Sequence, residues 1–240
     1  MQALGRFVRA ASSWRRRAWW MASQFSGGRE AIAFMMRFRR ELASCTWEPH
    51  ARYSVFTQYD QDYYLAQRAA FLHKYRCFWA VARTIAPKSI VELGVYAGSG
   101  ADAYLSGARD ASYLGIDIFF TPKRKDDGRI EDSYEVARAL LRDRGYRDCT
   151  LLRANLRSLD ALPRKAELVV VDAAHDFENA YADLKLALTA EPEYLFVDDA
   201  ADRNQAAPAI EKFLRDDVAG RVRYTVPIDY IGGGLVIRLH

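Results

Sequence analysis

The segment 89–100 constrains the fold of this chain most, because it reads Ser-Ile-Val-Glu-Leu-Gly-Val-Tyr-Ala-Gly-Ser-Gly. A short apolar run enters an acidic residue, glycines follow, and an alanine-rich segment suited to a helix comes next. Glycine lets the backbone approach a ligand closely because it has no Cβ, and a helix start adds oriented N–H groups. The spacing Glu-x-Gly-x-x-x-Gly-x-Gly does not fit the Gly-x-Gly-x-x-Gly of nicotinamide-binding loops. The segment therefore predicts a strand, a ligand-binding loop and a helix start.

Further strand-length apolar runs follow, and helix-like stretches separate most of them. The runs are residues 112–117, 149–155, 167–172 and 194–199. Alternation of strand and helix predicts a parallel sheet covered on both faces. Residues 222–228 and 232–239 are two more runs joined by a short connection that contains glycine, which predicts a terminal hairpin. The expected fold class is α/β, a Rossmann-like seven-stranded sheet with a terminal antiparallel β-hairpin and an N-terminal helical extension.

Polar side chains stand at the carboxyl ends of four of these predicted strands. They are Asp117, Asn155, Asp172 and the pair Asp198–Asp199. In open α/β sheets, ligands bind outside the carboxyl ends of the strands. A single Asp or Asn there could simply begin a turn or cap a helix. The whole set predicts a functional site at this edge of the sheet.

Charge and cysteine content limit the partners and the compartment. The first 40 residues carry nine arginines, no lysine and one acid, a local charge of +8; since the chain carries +4, the remainder carries −4. A mildly acidic body argues against a nucleic-acid groove, so we expect no nucleic-acid partner. The three cysteines (Cys45, Cys77 and Cys149) are odd in number and far apart, which argues against a disulfide framework. We therefore expect a cytoplasmic protein. The sequence contains no run of about 18 uncharged apolar residues, so we expect no membrane span.

Two amphipathic stripes precede the predicted domain, so we divide the chain into an extension, residues 1–48, and a domain, residues 49–240. The first stripe is Leu4, Phe7, Val8, Ala11, Trp14, Ala18, Met21 and Phe25. A basic helix that carries tryptophans can lie in a membrane interface over anionic lipid, so residues 1–26 are a candidate for peripheral membrane contact. Packing against protein and an organellar presequence remain alternatives for the first stripe.

The second stripe of the extension predicts a helix that packs on protein. It consists of Ala31, Phe34, Met35, Phe38, Leu42 and Cys45. This helix is expected to pack on the domain or on a second subunit. The sequence therefore leaves a homo-oligomer open.

The segment 171–178, Val-Asp-Ala-Ala-His-Asp-Phe-Glu, is the second informative motif. An amphipathic helix with an internal Asp follows it, and the Asp198–Asp199 pair comes at the next strand end. With the glycine loop, this order resembles class I S-adenosylmethionine (SAM) methyltransferases. The most similar branch contains metal-dependent O-methyltransferases of sugars and macrolides, and cephalosporin-hydroxylase-like proteins. The resemblance covers roughly residue 59 to the C-terminus and departs at Ala173, Phe177 and residues 191–193, which leaves the acceptor open.

The resemblance implies SAM as a cofactor and assigns its contacts residue by residue. The methionine end would be held by Glu92 and the backbones of Gly94 and Gly98, with Tyr96 and Ser99 in the same loop. Asp117 would accept both ribose hydroxyls, Asn155 would lie near the adenine, and Asp172 would stand beside the sulfonium. Two acceptor oxygens facing two adjacent hydroxyls make a good match.

A carboxylate cluster predicts a metal site at Asp172, Asp198 and Asp199. Clustered carboxylates repel one another and raise each other's pKa unless a cation lies between them. Mg²⁺ prefers oxygen ligands, and a hydroxyl bound to it becomes a better nucleophile. The alternative is that Asp199 caps the following segment and Asp198 accepts backbone N–H groups.

His175 and Asp172 are the predicted catalytic residues. A histidine suits a base that removes the hydroxyl proton, because its pKa lies near neutrality; His175 could instead bind the metal or only Asp172. The expected function is SAM-dependent methylation of a hydroxyl on a small molecule (a sugar, natural product or glycolipid) with Mg²⁺ assistance. The alternatives are a metal-dependent hydroxylase-like relative, a SAM-binding protein without turnover, and a membrane-recruited interaction protein.

Overall fold

The computed structural model describes residues 25–55, 66–119, 132–174, 176–201 and 206–240. Within them, a seven-stranded sheet has the strand order β3-β2-β1-β4-β5-β7-β6. The strands are β1 Ser89–Leu93, β2 Ser112–Asp117, β3 Cys149–Arg153, β4 Leu168–Val171, β5 Tyr194–Val197, β6 Val222–Ile228 and β7 Gly234–Leu239. Strands β1 to β5 are parallel, whereas β7 is antiparallel to both β5 and β6. The predicted parallel sheet and its terminal antiparallel hairpin are therefore confirmed.

Helices cover both faces of the sheet. They are α1 Gly28–Ala43, α2 Arg68–Ile85, α3 Ser99–Gly107, α4 Ser133–Asp143, α5 Phe177–Leu188 and α6 Ala206–Asp216. Side chains alternate across a strand, so Val170 of β4 joins the core beneath α1 to α4, while Val169 joins the core beneath α5 and α6. This arrangement buries every residue of β4 and leaves the carboxyl ends of the strands as the place for polar groups.

An aromatic cluster packs against β5 on one face of the sheet. The Phe78 ring of α2 stacks on Tyr104 of α3 at a centroid distance of 4.9 Å. It meets Phe196 and Tyr230 edge-on, each at 5.5 Å. Since aromatic pairs of this kind add about 0.5–1.5 kcal/mol each beyond their buried area, they fix α2 against the sheet.

Helix α1 packs on its own chain. Its side chains Ala31, Phe34 and Phe38 are buried, and the Phe34 ring lies 5.9 Å from that of Tyr224 on β6. Ahead of the helix, Ser26 forms a β-bridge with Thr225. The predicted N-terminal helix is thus present and attached to the edge of the sheet. Residues 1–24 lie outside the described residues, so the interpretations of the first amphipathic stripe stay predictions.

All three cysteine side chains, Cys45, Cys77 and Cys149, are free thiols. Burial raises the pKa of Cys77 to about 12, which keeps it a thiol at neutral pH. Among the helices that the structure describes, none has both the length and the apolar composition to cross a bilayer.

Candidate cofactor and metal site

A cavity of about 780 Å³ lies at the carboxyl ends of the strands. Its volume is in the range of small-molecule sites, which runs from about 300 to 1,000 Å³. The predicted residues that line it are Glu92, Gly94, Tyr96, Ser99, Asp117, Asn155, Asp172 and Asp199. Gly98 and Asp198 are not on its wall, and His175 lies outside the described residues. The structure therefore brings most of the predicted site residues to one cavity.

The loop after β1 needs glycine at Gly94 for two reasons. Its φ is +91°, and a Cβ there would collide with the backbone carbonyl of Asp172, which follows β4. Gly98, with φ +81°, is the N-cap of α3, where a Cβ would lie 3.1 Å from Ala137. Between them, Tyr96 has a left-handed φ of 50°, which is rare for a residue with a side chain. The glycines thus allow the loop to pass close to β4 along the cavity wall.

Asp117 holds this loop in place through its carboxylate. Its Oδ2 accepts hydrogen bonds from the backbone N–H groups of Val95 at 2.7 Å and Tyr96 at 2.8 Å, and its Oδ1 accepts one from Phe119 at 2.6 Å. A carboxylate has about four acceptor positions, so one remains for a ligand. For Asp117 to accept hydrogen bonds from both ribose hydroxyls, as the resemblance implies, one of its oxygen acceptor positions would have to serve a backbone N–H group and a hydroxyl together.

Glu92 is a buried carboxyl group at the centre of the sheet, with 1% of its surface exposed. Burial is the main reason that its pKa is raised to about 8, although the Tyr113 hydroxyl donates a hydrogen bond to it and lowers the pKa in part. At neutral pH, with no cation beside it, Glu92 is therefore largely protonated. A cationic group of a ligand in the cavity would favour its ionised form.

Asn155 begins the short 3₁₀ turn Leu156–Ser158. Its Oδ1 accepts a hydrogen bond from the backbone N–H of Arg157 at 2.9 Å, so it caps this turn while it lines the cavity. Ile118 also lines the cavity and is 55% exposed. Ser99 links the loop to a neighbouring segment, because its Oγ accepts from the Val55 N–H at 3.2 Å.

The carboxylates of Asp172, Asp198 and Asp199 form a cluster in which one oxygen from each lies within 4.8 Å of the others. Strands β4 and β5 are paired neighbours, and their ends place these residues together. Desolvation, and then the adjacent Asp198 charge, raise the pKa of Asp172 well above its ordinary value. The backbone of Asp199 is left-handed, with φ 48°, and a Cβ at Gly232 would collide with its carboxylate.

Lys74, on α2, is a functional candidate that sequence reasoning missed. Its ammonium forms an ion pair with Asp198 and lies 4.0 Å from Asp199 Oδ1. Burial alone would raise the pKa of Asp198, but Lys74 and several hydrogen bonds, one of them donated by Tyr230 at 2.6 Å, lower it. Burial alone would lower the pKa of Lys74, but the carboxylates, Asp198 foremost, raise it well above its ordinary value. No spacing in the sequence connects this lysine with the strand ends.

The other walls of the cavity contain side chains that the motifs did not indicate. An apolar wall is formed by Val55, Phe71, Tyr75 and Ile231. A polar wall includes Asn179 and an ion pair between Arg157 and the fully buried Asp183. Asp183 is the internal acid of the helix after the second motif. Apolar and polar walls on one cavity suit an organic ligand with several polar groups.

Several solved structures that share this fold are described as methyltransferases. The SAH-bound methyltransferase PaMTH1 of Podospora anserina matches with 18% identity and a TM-score of 0.51, over 84% of this chain and 94% of that one. An O-methyltransferase from Bacillus cereus in complex with SAH matches with 13% identity and a TM-score of 0.52, over 85% and 99%. A methyltransferase from Geobacter sulfurreducens matches with 17% identity and a TM-score of 0.50, over 76% and 90%.

At these identities the likeness establishes the fold alone, a Rossmann-like fold shared with these methyltransferases, as the motifs predicted. No protein-family model and no curated protein sequence matches the chain significantly. The chemistry must therefore be argued from the cavity itself.

Proposed function

We propose that the protein is a SAM-dependent methyltransferase that acts on a hydroxyl group of a small molecule. The observation that carries this proposal is a cavity at the carboxyl edge of the sheet that gathers Glu92, Gly94, Asp117 and Asp172 from three strand ends. The fold, shared with SAH-bound methyltransferases, supports the choice of cofactor. An acidic, partly apolar cavity suits a cationic cofactor with a flat base.

SAM, when bound, supplies an electrophilic methyl group on a positively charged sulfur. Glu92 is the group that would neutralise the ammonium at the methionine end, in a buried position where charge pairing is strong. Gly94 allows the cofactor close to the backbone, and Asp117 offers its remaining acceptor to the ribose. Ile118, which lines the cavity as Asn155 does, would give the adenine an apolar surface.

The acceptor hydroxyl is placed at the acidic cluster in this proposal. The carboxylate oxygens of Asp172, Asp198 and Asp199 fit Mg²⁺, which prefers oxygen ligands and completes its shell with waters or substrate oxygens. Bound there, Mg²⁺ supplies Lewis acidity that makes a hydroxyl easier to deprotonate. His175, three residues after Asp172, is the proposed base. Holding the hydroxyl and the methyl group in line can lower the activation barrier by roughly 7–11 kcal/mol.

Methylation is tested by the mass of the product. We expect the protein, incubated with methyl-deuterated SAM, Mg²⁺ and a panel of sugars, glycolipids and phenolic natural products, to add a labelled methyl group to one class of hydroxyl. A His175→Ala variant should bind SAM normally but turn over about 10²–10⁴-fold more slowly. An added oxygen atom would instead indicate the hydroxylase alternative, and SAM binding without any product would indicate a binding protein.

We also infer that the N-terminal extension, residues 1–48, contacts an anionic membrane surface. Residues 1–24 contain five arginines and three tryptophans, and the outer face of α1 continues this character. On that face Ile32 and Met36 are 52% and 69% exposed, with Arg29, Arg37 and Arg40 exposed beside them. A basic, partly apolar surface suits anionic lipid headgroups, which would favour a lipid-linked acceptor.

Liposome flotation tests the membrane contact. The full chain is expected to float with vesicles that contain anionic lipid and not with neutral vesicles, and the effect should weaken as salt is added. Deleting residues 1–24, which preserves the Ser26 bridge to Thr225, should reduce flotation while SAM binding stays unchanged. Equal flotation of the deleted and full-length proteins would contradict a role for residues 1–24 in membrane binding.

A further inference from the structure

The three carboxylates of the acidic cluster have unequal surroundings. The Asp198 side chain is fully buried, whereas that of Asp199 is 30% exposed. Asp172 and Asp199 line the cavity, and Asp198 does not. Both oxygens of Asp198 are engaged, because Oδ1 accepts from the Tyr230 hydroxyl at 2.6 Å and Oδ2 pairs with Lys74. The cluster therefore has one internal carboxylate and two that face the ligand space.

Lys74 is held where it is by packing as well as by charge. Its side chain is 12% exposed. Its ammonium lies 5.5 Å from the centre of the Phe78 ring and 6.0 Å from that of Tyr230. Both rings belong to the aromatic cluster that fixes α2 against the sheet. A lysine anchored in this way is a built-in cation of the site and not a flexible surface group.

We propose that Lys74 is the permanent counter-ion of the acidic cluster, that it commits Asp198 to an internal ion pair, and that Asp172 and Asp199 alone ligate a divalent cation. This inference rests on the proposed metal site and changes its predicted ligand set from three carboxylates to two. Without Lys74 the cluster would carry a formal charge of −3; with it the charge is −2, which one divalent cation balances.

Charge arithmetic gives Lys74 a second consequence. A positive charge close to the metal-binding oxygens opposes a bound cation, so the lysine lowers the affinity of the site. When no metal is bound, Lys74 also balances part of the carboxylate charge, which allows the protein to remain folded. Lys74 is therefore a positioning residue that sets the metal affinity.

The experiment titrates Mn²⁺ alone into metal-free, full-length protein and measures free Mn²⁺ by electron paramagnetic resonance. Lys74→Met removes the charge and keeps most of the apolar stem, and it should tighten Mn²⁺ binding by about tenfold or more. Lys88→Met is the matched control, because Lys88 is exposed just before β1, at the opposite edge of the sheet. It should leave the affinity unchanged.

Single carboxylate variants test the division of the cluster. Asp199→Asn should abolish Mn²⁺ binding, whereas Asp198→Asn should weaken it by about tenfold without abolishing it. Asp198→Asn should also lower the melting temperature, since it leaves Lys74 without its charged partner. The double variant Lys74→Met/Asp198→Asn keeps a formal charge of −2 on the two proposed ligands. It should fold and bind Mn²⁺ about as well as the wild type, even if either single variant fails to fold.

Three results would overturn the inference. One is an unchanged or weaker Mn²⁺ affinity in a folded Lys74→Met protein, and another is loss of binding in the folded double variant. If the wild type binds no Mn²⁺, the metal part of the proposed function fails, but the lysine is still tested. In that case, Mn²⁺ binding by the Lys74→Met protein would support Lys74 as a cation that takes the place of a metal. Absence of Mn²⁺ binding by this variant as well would be the third result against the inference.

Discussion

Replacing Asp117 by alanine is expected to weaken SAM binding by about 100-fold or more. The side chain offers an acceptor to the ribose, and its carboxylate also takes three backbone N–H groups that shape the loops at Val95, Tyr96 and Phe119. Hydrogen bonds to a charged group contribute about 1.5–3 kcal/mol each, and 1.4 kcal/mol corresponds to tenfold in affinity. Loss of the carboxylate therefore removes a ligand contact and releases the loop that forms the cofactor wall.

The same substitution should reduce stability, which separates it from a substitution that affects only a ligand contact. Partly buried N–H groups left without an acceptor cost about 1–3 kcal/mol each, so the melting temperature of the ligand-free protein should fall by several degrees. Asp110→Ala is the matched control, because Asp110 is exposed just before β2; it should change neither property. Calorimetric titration and thermal denaturation measure both effects. SAM affinity within a few-fold of the wild type would contradict the assigned role of Asp117.

Glu92→Gln is expected to have opposite effects on binding and on stability. Burial raises the pKa of Glu92 to about 8, from about 4.5 in an unfolded chain. A pKa raised on folding contributes stability that is fully present below pH 4.5 and is lost as the pH rises towards 8. Glutamine cannot ionise, so the variant should be as stable as the wild type near pH 4.5 and more stable, by on the order of a few kcal/mol, above pH 8.

SAM binding should weaken by at least about tenfold in Glu92→Gln, because a neutral amide cannot compensate the ammonium of the cofactor. In the wild type at pH 7, binding should release a proton from Glu92, which calorimetry detects as a heat that depends on the buffer. The variant should show no such dependence. Unchanged affinity, or a stability difference that does not grow with pH, would contradict this role for the buried carboxyl group.

Local patterns in the sequence were sufficient to predict the fold. The apolar runs at residues 112–117 and 222–228 match β2 and β6 as observed. Gly94 could be identified because the loop passes close to the end of the neighbouring strand. Only glycine fits at that position, so the requirement is visible in the spacing of the glycines. The strand-end residues were predictable for a related reason, since parallel strands place their last residues at one edge of the sheet.

Contacts made by helices and turns could not be predicted in the same way. Lys74 reaches the acidic cluster from a helix that precedes β1, and nothing in its neighbourhood distinguishes it from a surface lysine. The three backbone bonds of Asp117 depend on left-handed residues at Tyr96 and Phe119, whose conformation the sequence does not encode in a recognisable motif. The ion pair between Arg157 and Asp183 likewise joins a turn after β3 to a helix after β4.

Calorimetric titration of SAM into the purified full-length protein, with and without Mg²⁺, tests the proposed function most directly. The cavity geometry predicts saturable binding at one site, competition by S-adenosylhomocysteine, and a different heat when Mg²⁺ is present. Absence of saturable binding in both conditions, from a protein that melts cooperatively, would contradict the assignment of the cavity to SAM and with it the proposed methyl transfer.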